Sequence, residues 1–251
     1  MKLFDISGKK AVVTGASRGL GRGMAEGLHD AGAEVAIIDV LDDVYAAADE
    51  MGKAGPKVHA VKGDLGSREE LAPAFNRALE KLGTIDILVN NAGIQRVYKA
   101  EEFPMDVWDR VIQINLTTVF QLCQLAGKIM LQRGSGKIIN VASLNSFVTA
   151  QKIAAYVASK AAVAQVTKAL ANEWGASGIN VNAIAPGYFR TNLTSFVHED
   201  APREELINSR IPVRRWGVPD DLKGAAIFLA SPASDYVNGV VLPIDGGYLS
   251  R

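Results

Sequence analysis

The sequence predicts a single α/β domain: a parallel sheet of about seven strands with helices packed on both faces. Three observations carry this. Seven short segments rich in Val and Ile recur along the 251 residues. Several are unbroken apolar runs rather than strict alternations, as strands covered on both faces require. Longer segments between them carry helical spacing, and strand–helix alternation of this kind builds a parallel sheet. No repeat, low-complexity tract or linker divides residues 1–251, so the chain reads as one domain.

K-A-V-V-T-G (10–15) is the first strand. Leu20, Met24, Leu28 and Ala31 then keep helical spacing, with Gly32 placed to end that helix. E-V-A-I-I-D-V (34–40), V-H-A-V-K-G-D-L (58–65) and I-D-I-L-V-N-N-A-G (85–93) are the next strands. G-K-I-I-N-V-A-S (136–143), I-N-V-N-A-I-A-P-G (179–187) and V-V-L-P-I-D-G-G (240–247) complete the set. Residues 189–216 break the rhythm, being charged and weakly periodic. They follow the carboxyl end of a strand, outside which ligands bind in open α/β sheets. The segment is therefore expected to form a substrate-binding lid.

Composition excludes several classes of function. Hydrophobic residues make up 48% of the chain, enough for a large core. Lys plus Arg and Asp plus Glu are equal at 27 each, which leaves no electrostatic footprint for nucleic acid or an anionic membrane. Cys123 lies in an apolar segment and reads as a core residue. His29, His59 and His198 lack metal-ligand spacing, so no metal is expected. M-K-L-F-D-I-S-G-K-K lacks the apolar core of a signal peptide, and no run approaches ~18 apolar residues. A cytoplasmic protein is expected.

The first strand runs directly into T-G-A-S-R-G-L-G (14–21). Glycines at 15, 19 and 21 permit a tight turn and close backbone approach, while the helix that follows offers its N-terminus to a pyrophosphate. Asp39 ends the second strand, the place for a carboxylate that binds the adenosine ribose hydroxyls. Together these point to a dinucleotide. Asp39 would repel a 2′-phosphate by ~4 kcal/mol at ~4 Å and an effective dielectric of ~20. Arg18 could attract that phosphate but can also swing into solvent. NAD is expected over NADP.

A-A-Y-V-A-S-K-A-A (154–162) places Tyr156 and Lys160 one turn apart on one helix face. With the motifs above, and with D-L (64–65), N-N-A-G (90–93), Asn115, Ser143 and P-G-Y-F-R-T (186–191), the chain resembles the short-chain dehydrogenase/reductases over essentially its whole length. The resemblance implies a Rossmann-type, doubly wound domain and a catalytic tetrad of Asn115, Ser143, Tyr156 and Lys160. It implies cofactor contacts from Gly15, Ser17, Arg18, Gly19, Leu20 and Gly21, with Asp64 and Leu65 flanking the adenine. Asn91, Ala92 and Gly93 would line the cofactor wall, and Pro186, Gly187 and Thr191 would hold the nicotinamide end. It also implies a homotetramer, with which the apolar faces of 104–133 and 154–177 are compatible.

The chemistry follows from the residues. Hydride transfer at an alcohol carbon needs a base for the hydroxyl proton, and a phenol of pKa ~10 is a poor one at neutral pH. Lys160 and a cationic nicotinamide are expected to lower the pKa of Tyr156. Ser143 would polarise the reacting oxygen and Asn115 would support a water path for the proton.

Gln95, Arg96, Asn145, Gln151, Lys152, Tyr188 and Arg190 lie on segments expected to face the substrate, with Arg214, Arg215 and Trp216 on the lid. Amides and guanidinium groups suit a small polyhydroxylated anion. I-P-V-R-R-W-G-V-P-D-D-L (211–222), A-S-D-Y-V-N-G (233–239) and D-G-G-Y-L-S-R (245–251) look like 2-deoxy-D-gluconate 3-dehydrogenases. N-A-G-I-Q-R (91–96) looks more like gluconate 5-dehydrogenases. A sugar-acid oxidoreductase is expected. The alternatives are a 3-oxoacyl-carrier-protein reductase using NADPH, which Asp39 opposes, and a non-catalytic dinucleotide sensor, which the intact tetrad opposes.

Overall fold

The computed structural model describes residues 2–191 and 201–250. Among them, seven strands form one sheet in the order β3-β2-β1-β4-β5-β6-β7. The strands are β1 (Lys10–Thr14), β2 (Glu34–Asp39), β3 (Val58–Lys62), β4 (Ile87–Asn90), β5 (Gly136–Val141), β6 (Ile179–Pro186) and β7 (Val241–Ile244). Every neighbouring pair is parallel. All seven expected strands are present, most of them shorter at their carboxyl ends. The residues expected to extend β1, β4 and β6, such as Gly15 and N-A-G, lie in the turns that follow.

Alternation within the strands divides the core in two. Val12, Ala36, Ile38, Leu88, Ile138 and Val181 face one side, where α3 (Arg68–Leu82), α5 (Thr118–Arg133) and α6 (Ala154–Trp174) bury Leu71, Phe75, Leu122, Met130 and Val163. Ala11, Val13, Val35, Ile37, Val89, Ile139 and Ile184 face the other. There α1 (Gly19–Asp30), α2 (Asp43–Met51) and α8 (Lys223–Ala230) bury Met24, Leu28, Val44 and Leu229. Each large aliphatic side chain so buried contributes roughly 1.5–3 kcal/mol. Two covered faces explain why the strands read as near-continuous apolar runs.

The strand order reverses between β1 and β4. Chain leaving β1 turns toward β2 and β3, and chain leaving β4 turns the other way, which opens a crevice at their carboxyl ends. Helix α4 (Met105–Ile112) continues into α5 through a π-helical turn, Gln113–Thr117. Such turns widen a helix locally and often mark functional positions. Asn115 lies inside this one.

The expected lid is partly described; residues 192–200 lie outside the described residues. Its base is closed by Gly217, whose N donates to the Tyr188 carbonyl at 2.9 Å and whose carbonyl accepts from Arg190 N at 2.9 Å. Helix α7 (Ala201–Arg210) follows. Ile207, Ile211 and Trp216 are buried with Leu144 and Tyr248 in a small third cluster beside the crevice.

At the opposite edge, the carboxylate of Glu34 on β2 bridges Lys10 on β1 and His59 on β3, the latter at 2.7 Å. Lys10 and then His59 hold the Glu34 carboxyl below its ordinary value. A depressed carboxyl pKa gives stability present above the unfolded value of 4.5 and lost as pH falls through the folded one. Glu34→Gln is therefore expected to lower Tm near pH 7, with the deficit shrinking as melts are repeated below pH 4.5.

Candidate active site

The glycine-rich turn is shaped by contacts within the protein. Gly15 and Gly19 adopt φ of +63° and +60°, which side chains other than glycine rarely tolerate. A Cβ at Gly21 would lie 2.2 Å from the Gly15 carbonyl oxygen and 2.4 Å from Asn91 Nδ2. A Cβ at Gly19 would instead meet Thr191 Cγ2 at 3.7 Å, so Thr191 stands across the turn.

The turn is stapled to the segment after β4. Thr14 Oγ1 accepts from Asn91 N at 3.0 Å and from Ala92 N at 3.1 Å. Asn91 Nδ2 donates to the carbonyls of Thr14 (3.0 Å) and Gly15 (2.9 Å). The Asn91 amide thus holds the glycine turn and the segment after β4 in one shape. Thr14 was not singled out from the sequence, although it opens the quoted motif.

Asp39, buried at the end of β2, accepts at Oδ2 from Ser17 N (3.0 Å) and Ser17 Oγ (2.7 Å), and at Oδ1 from Leu41 N (3.2 Å). The carboxylate is fixed and ties the second strand to the turn. Arg18 is exposed with no side-chain partner among the described residues, as its expected freedom requires. Beside them, a cleft of about 500 Å³ is lined by Val40, Tyr45, Lys62, Gly63, Asp64, Glu70 and Arg77. Asp64 at its edge accepts from Arg110 Nη2 (2.9 Å) and Gly66 N (2.8 Å), and Leu65 is buried beneath. A glycine-lined turn, a fixed carboxylate and this cleft fit an adenine dinucleotide. Leu20 is half-buried at the start of α1.

Asn115, Ser143, Tyr156 and Lys160 converge from the π turn, the end of β5 and the first turns of α6. Asn115 is fully buried; its Oδ1 accepts from Ile94 N (2.8 Å) and its Nδ2 donates to the Ile94 carbonyl (2.9 Å) and Ser159 Oγ (3.1 Å). Ser159 Oγ donates in turn to the Tyr156 carbonyl at 2.7 Å. Ser159 thus joins Asn115 to the first turns of α6. Ser143 hydrogen-bonds the Tyr156 side chain and accepts from Asn145 N at 3.1 Å. Ser146 Oγ donates to the Lys160 carbonyl at 2.7 Å. Neither Ser159 nor Ser146 has a signal in spacing alone.

Lys160 Nζ donates to the Val141 carbonyl at 2.6 Å and stands 5.9 Å from the centre of the Tyr156 ring. Burial lowers its pKa to about 8. Burial also raises the Tyr156 phenol above its ordinary value, with the Ser143 hydrogen bond pulling the other way. The expected lowering of the Tyr156 pKa is a joint effect of Lys160 and a cationic nicotinamide, and the chain alone supplies only Lys160. Its ammonium is aimed at the strand, and desolvation of the phenol dominates. A Cβ at Gly93 would sit 3.2 Å from Asn115 Oδ1 and 3.7 Å from Lys160 Nζ, so these three groups face one opening.

The substrate-side residues are distributed unevenly. Gln95 and Arg96 lie in the irregular segment after β4, Asn145 in the short 3-10 helix that follows Ser143, and Gln151 and Lys152 in the turn before α6. Tyr188 is packed against Trp216 and Tyr248 at ring-centre distances of 5.1 and 5.5 Å. Arg190 donates to Glu204 at 2.9 Å, so its charge is neutralised within the chain. Pro186 and Gly187 end β6, where a Cβ on Gly187 would press to 2.7 Å on Asp245. No group of three or more metal-ligating side chains occurs among the described residues.

Residues 15–249 match a family described as Enoyl-(Acyl carrier protein) reductase. The 2-dehydro-3-deoxy-D-gluconate 5-dehydrogenase of Bacillus subtilis (strain 168) is 48% identical, over 99% of this chain and 97% of its own. The Escherichia coli (strain K12) protein of the same name is 44% identical, over 100% and 99%. A gluconate 5-dehydrogenase from Burkholderia cenocepacia J2315, solved in complex with NADP and tartrate, is 39% identical. It superposes with a TM-score of 0.95 over 100% of this chain and 98% of its own.

Two outcomes are expected. Gly21→Ala forces a Cβ onto the Gly15 carbonyl, an overpacking that costs about 1–3 kcal/mol. Calorimetry should show Tm lower by roughly 2–4 °C per kcal/mol, with dinucleotide binding lost by titration. Lys160 has a folded pKa of about 8 against 10.5, so the folded state loses its proton first. Between those pH values the unfolded state binds more protons, and wild-type stability rises with pH. Melts of wild type and Lys160→Met should therefore shift in favour of wild type from pH 8 to 10.5.

Proposed function

The chain belongs to the short-chain dehydrogenase/reductase family, and from that premise we propose that it interconverts a secondary alcohol and a ketone on a small sugar acid with NAD(H). The observation that carries the reading is the convergence of Asn115, Ser143, Tyr156 and Lys160 beside Gly93, at the carboxyl ends of β4 and β5. A nicotinamide dinucleotide bound in the crevice supplies the hydride acceptor or donor. Tyr156 Oη takes or gives the proton of the substrate oxygen, and Ser143 orients that oxygen and the phenol together. Lys160, with a pKa of about 8, remains a cation at neutral pH. Asn115 holds the Ile94 carbonyl and Ser159 in place around the route by which the proton leaves.

The sugar-acid class is supported by the three relatives named above and by the amide and guanidinium groups beside the tetrad. Two of those relatives are named for 2-dehydro-3-deoxy-D-gluconate and carbon 5. Oxidation at carbon 5 is therefore favoured over the carbon 3 expected from the C-terminal motifs. NAD is favoured because the Asp39 carboxylate is held in place by Ser17 and Leu41 where a 2′-phosphate would meet it. The NADP held by the Burkholderia protein makes this the point to measure directly.

A homotetramer is part of the same reading, supported by Met105, Phe120 and Leu131, large apolar side chains exposed on α4 and α5. A cytoplasmic location is part of it too. No helix among the described residues is long and apolar enough to cross a membrane.

The reading is tested by initial rates with NAD and NADP against aldonates, 2-dehydro-3-deoxyaldonates and simple polyols. Turnover of the acids with NAD is expected, and turnover confined to acyl thioesters with NADPH would sink it. Tyr156→Phe should lower kcat by roughly 10²- to 10⁴-fold with the Kd for NAD nearly unchanged. Asp39→Asn should move the NADP:NAD ratio of kcat/KM toward NADP by at least roughly tenfold.

A further inference from the structure

The basic side chains around the crevice divide by whether the protein already neutralises them. Arg190 donates to Glu204 and Arg215 to Asp221, the latter through both terminal nitrogens at 2.6 and 2.8 Å. Arg210 lies over the Tyr248 ring at 4.8 Å, and Arg214 donates to the Ser209 carbonyl at 3.1 Å. Arg214 too has no carboxylate partner among the described residues; Arg96 and Lys152 stand apart in lying on the segments next to Gly93 and Tyr156. Both are exposed, and neither has a carboxylate partner among the described residues. Arg96 Nη1 reaches only the carbonyl of its neighbour Gln95, at 2.8 Å.

The segments that carry these two cations are joined. Tyr98 N donates to the Lys152 carbonyl at 2.9 Å, joining the segment that leaves β4 to the turn that enters α6. Arg96 follows the cofactor wall at Asn91–Gly93 by three residues, and Lys152 precedes Tyr156 by four. Lys152 also has φ of +65°, a left-handed conformation that glycine adopts freely and an L side chain only at a cost. Among the described non-glycine residues only Lys152 and Arg214 have a positive φ. Residues kept in strained conformations by their surroundings cluster at binding and catalytic sites.

We propose that Arg96 and Lys152 form a paired clamp for the substrate carboxylate, and that Lys152 sets the preference for sugar acids over neutral polyols. The proposal rests on the sugar-acid reading above. It moves carboxylate recognition away from Arg190, whose charge Glu204 already balances. Arg96 offers a planar fork suited to two carboxylate oxygens, and Lys152 adds a point charge on a flexible stem.

The test compares wild type, Lys152→Gly, Lys152→Arg and Arg96→Gln on two substrates of one carbon skeleton. One is the sugar acid that wild type turns over best, and the other is its uncharged primary amide. Lys152→Gly removes the charge and relaxes the backbone, so its Tm should equal or exceed that of wild type. Its KM for the acid should rise roughly 10- to 100-fold, with kcat and the KM for the amide little changed. Arg96→Gln should act in the same direction, and Lys152→Arg should keep the acid preference.

The clamp is overturned if the Gly and Gln variants leave KM for the acid within about twofold of wild type, or raise it equally for acid and amide. A wild type that turns over acid and amide alike, or no acid at all, overturns the sugar-acid reading itself, and the clamp with it.

Discussion

The staple between Thr14 and Asn91 is the interaction on which the rest of this site depends. One threonine hydroxyl and one asparagine amide join the carboxyl ends of β1 and β4 through four hydrogen bonds. These are the two strands between which the sheet reverses its order, so the staple sets the width of the crevice. Gly15 and Gly21 are glycines because Ala92 and Asn91 occupy the space a Cβ would need. The same contact fixes Gly93, and with it the wall that Asn115 and Lys160 face from the opposite side.

Polar burial around the tetrad costs stability, and the structure limits that cost by satisfying each group. Asn115 is fully buried yet hydrogen-bonded to both polar atoms of the Ile94 backbone and to Ser159. The π turn in the α4–α5 helix gives it that position. Lys160 keeps a partner in the Val141 carbonyl, but burial still brings its pKa to about 8. A lysine with a free choice of surroundings stays solvated. Its desolvation, together with that of Tyr156, is a cost that accords with the proton transfer proposed above.

Charge pairing separates residues that look alike in sequence. Arg96, Arg190 and Arg215 all lie on segments expected to face the substrate. Glu204 and Asp221 neutralise two of them and leave the third exposed beside Lys152. The same logic applies at the cofactor end, where Ser17 and Leu41 fix Asp39 while Arg18 stands exposed. In the function proposed above, specificity at both ends would depend on which charges have partners within the chain.

The sequence by itself determined the seven strands, the parallel sheet, the glycine turn, Asp39 and the positions of the four tetrad residues. It could do so because strand burial on two faces, left-handed glycines and an acid at a strand end each leave a local trace in residue type and spacing. Only the tertiary structure decided what those residues touch. Thr14, Ser146 and Ser159 act through partners many residues away in sequence, or through carbonyls that carry no side-chain signal. Lys160 and Tyr156 are one turn apart in any helix. The direction of their pKa shifts came from burial, which spacing does not encode. Lys152 reads as an ordinary surface lysine until its backbone angle and its missing partner are seen together. Periodicity records which face of an element is covered; contacts between elements exist only once the chain has closed on itself.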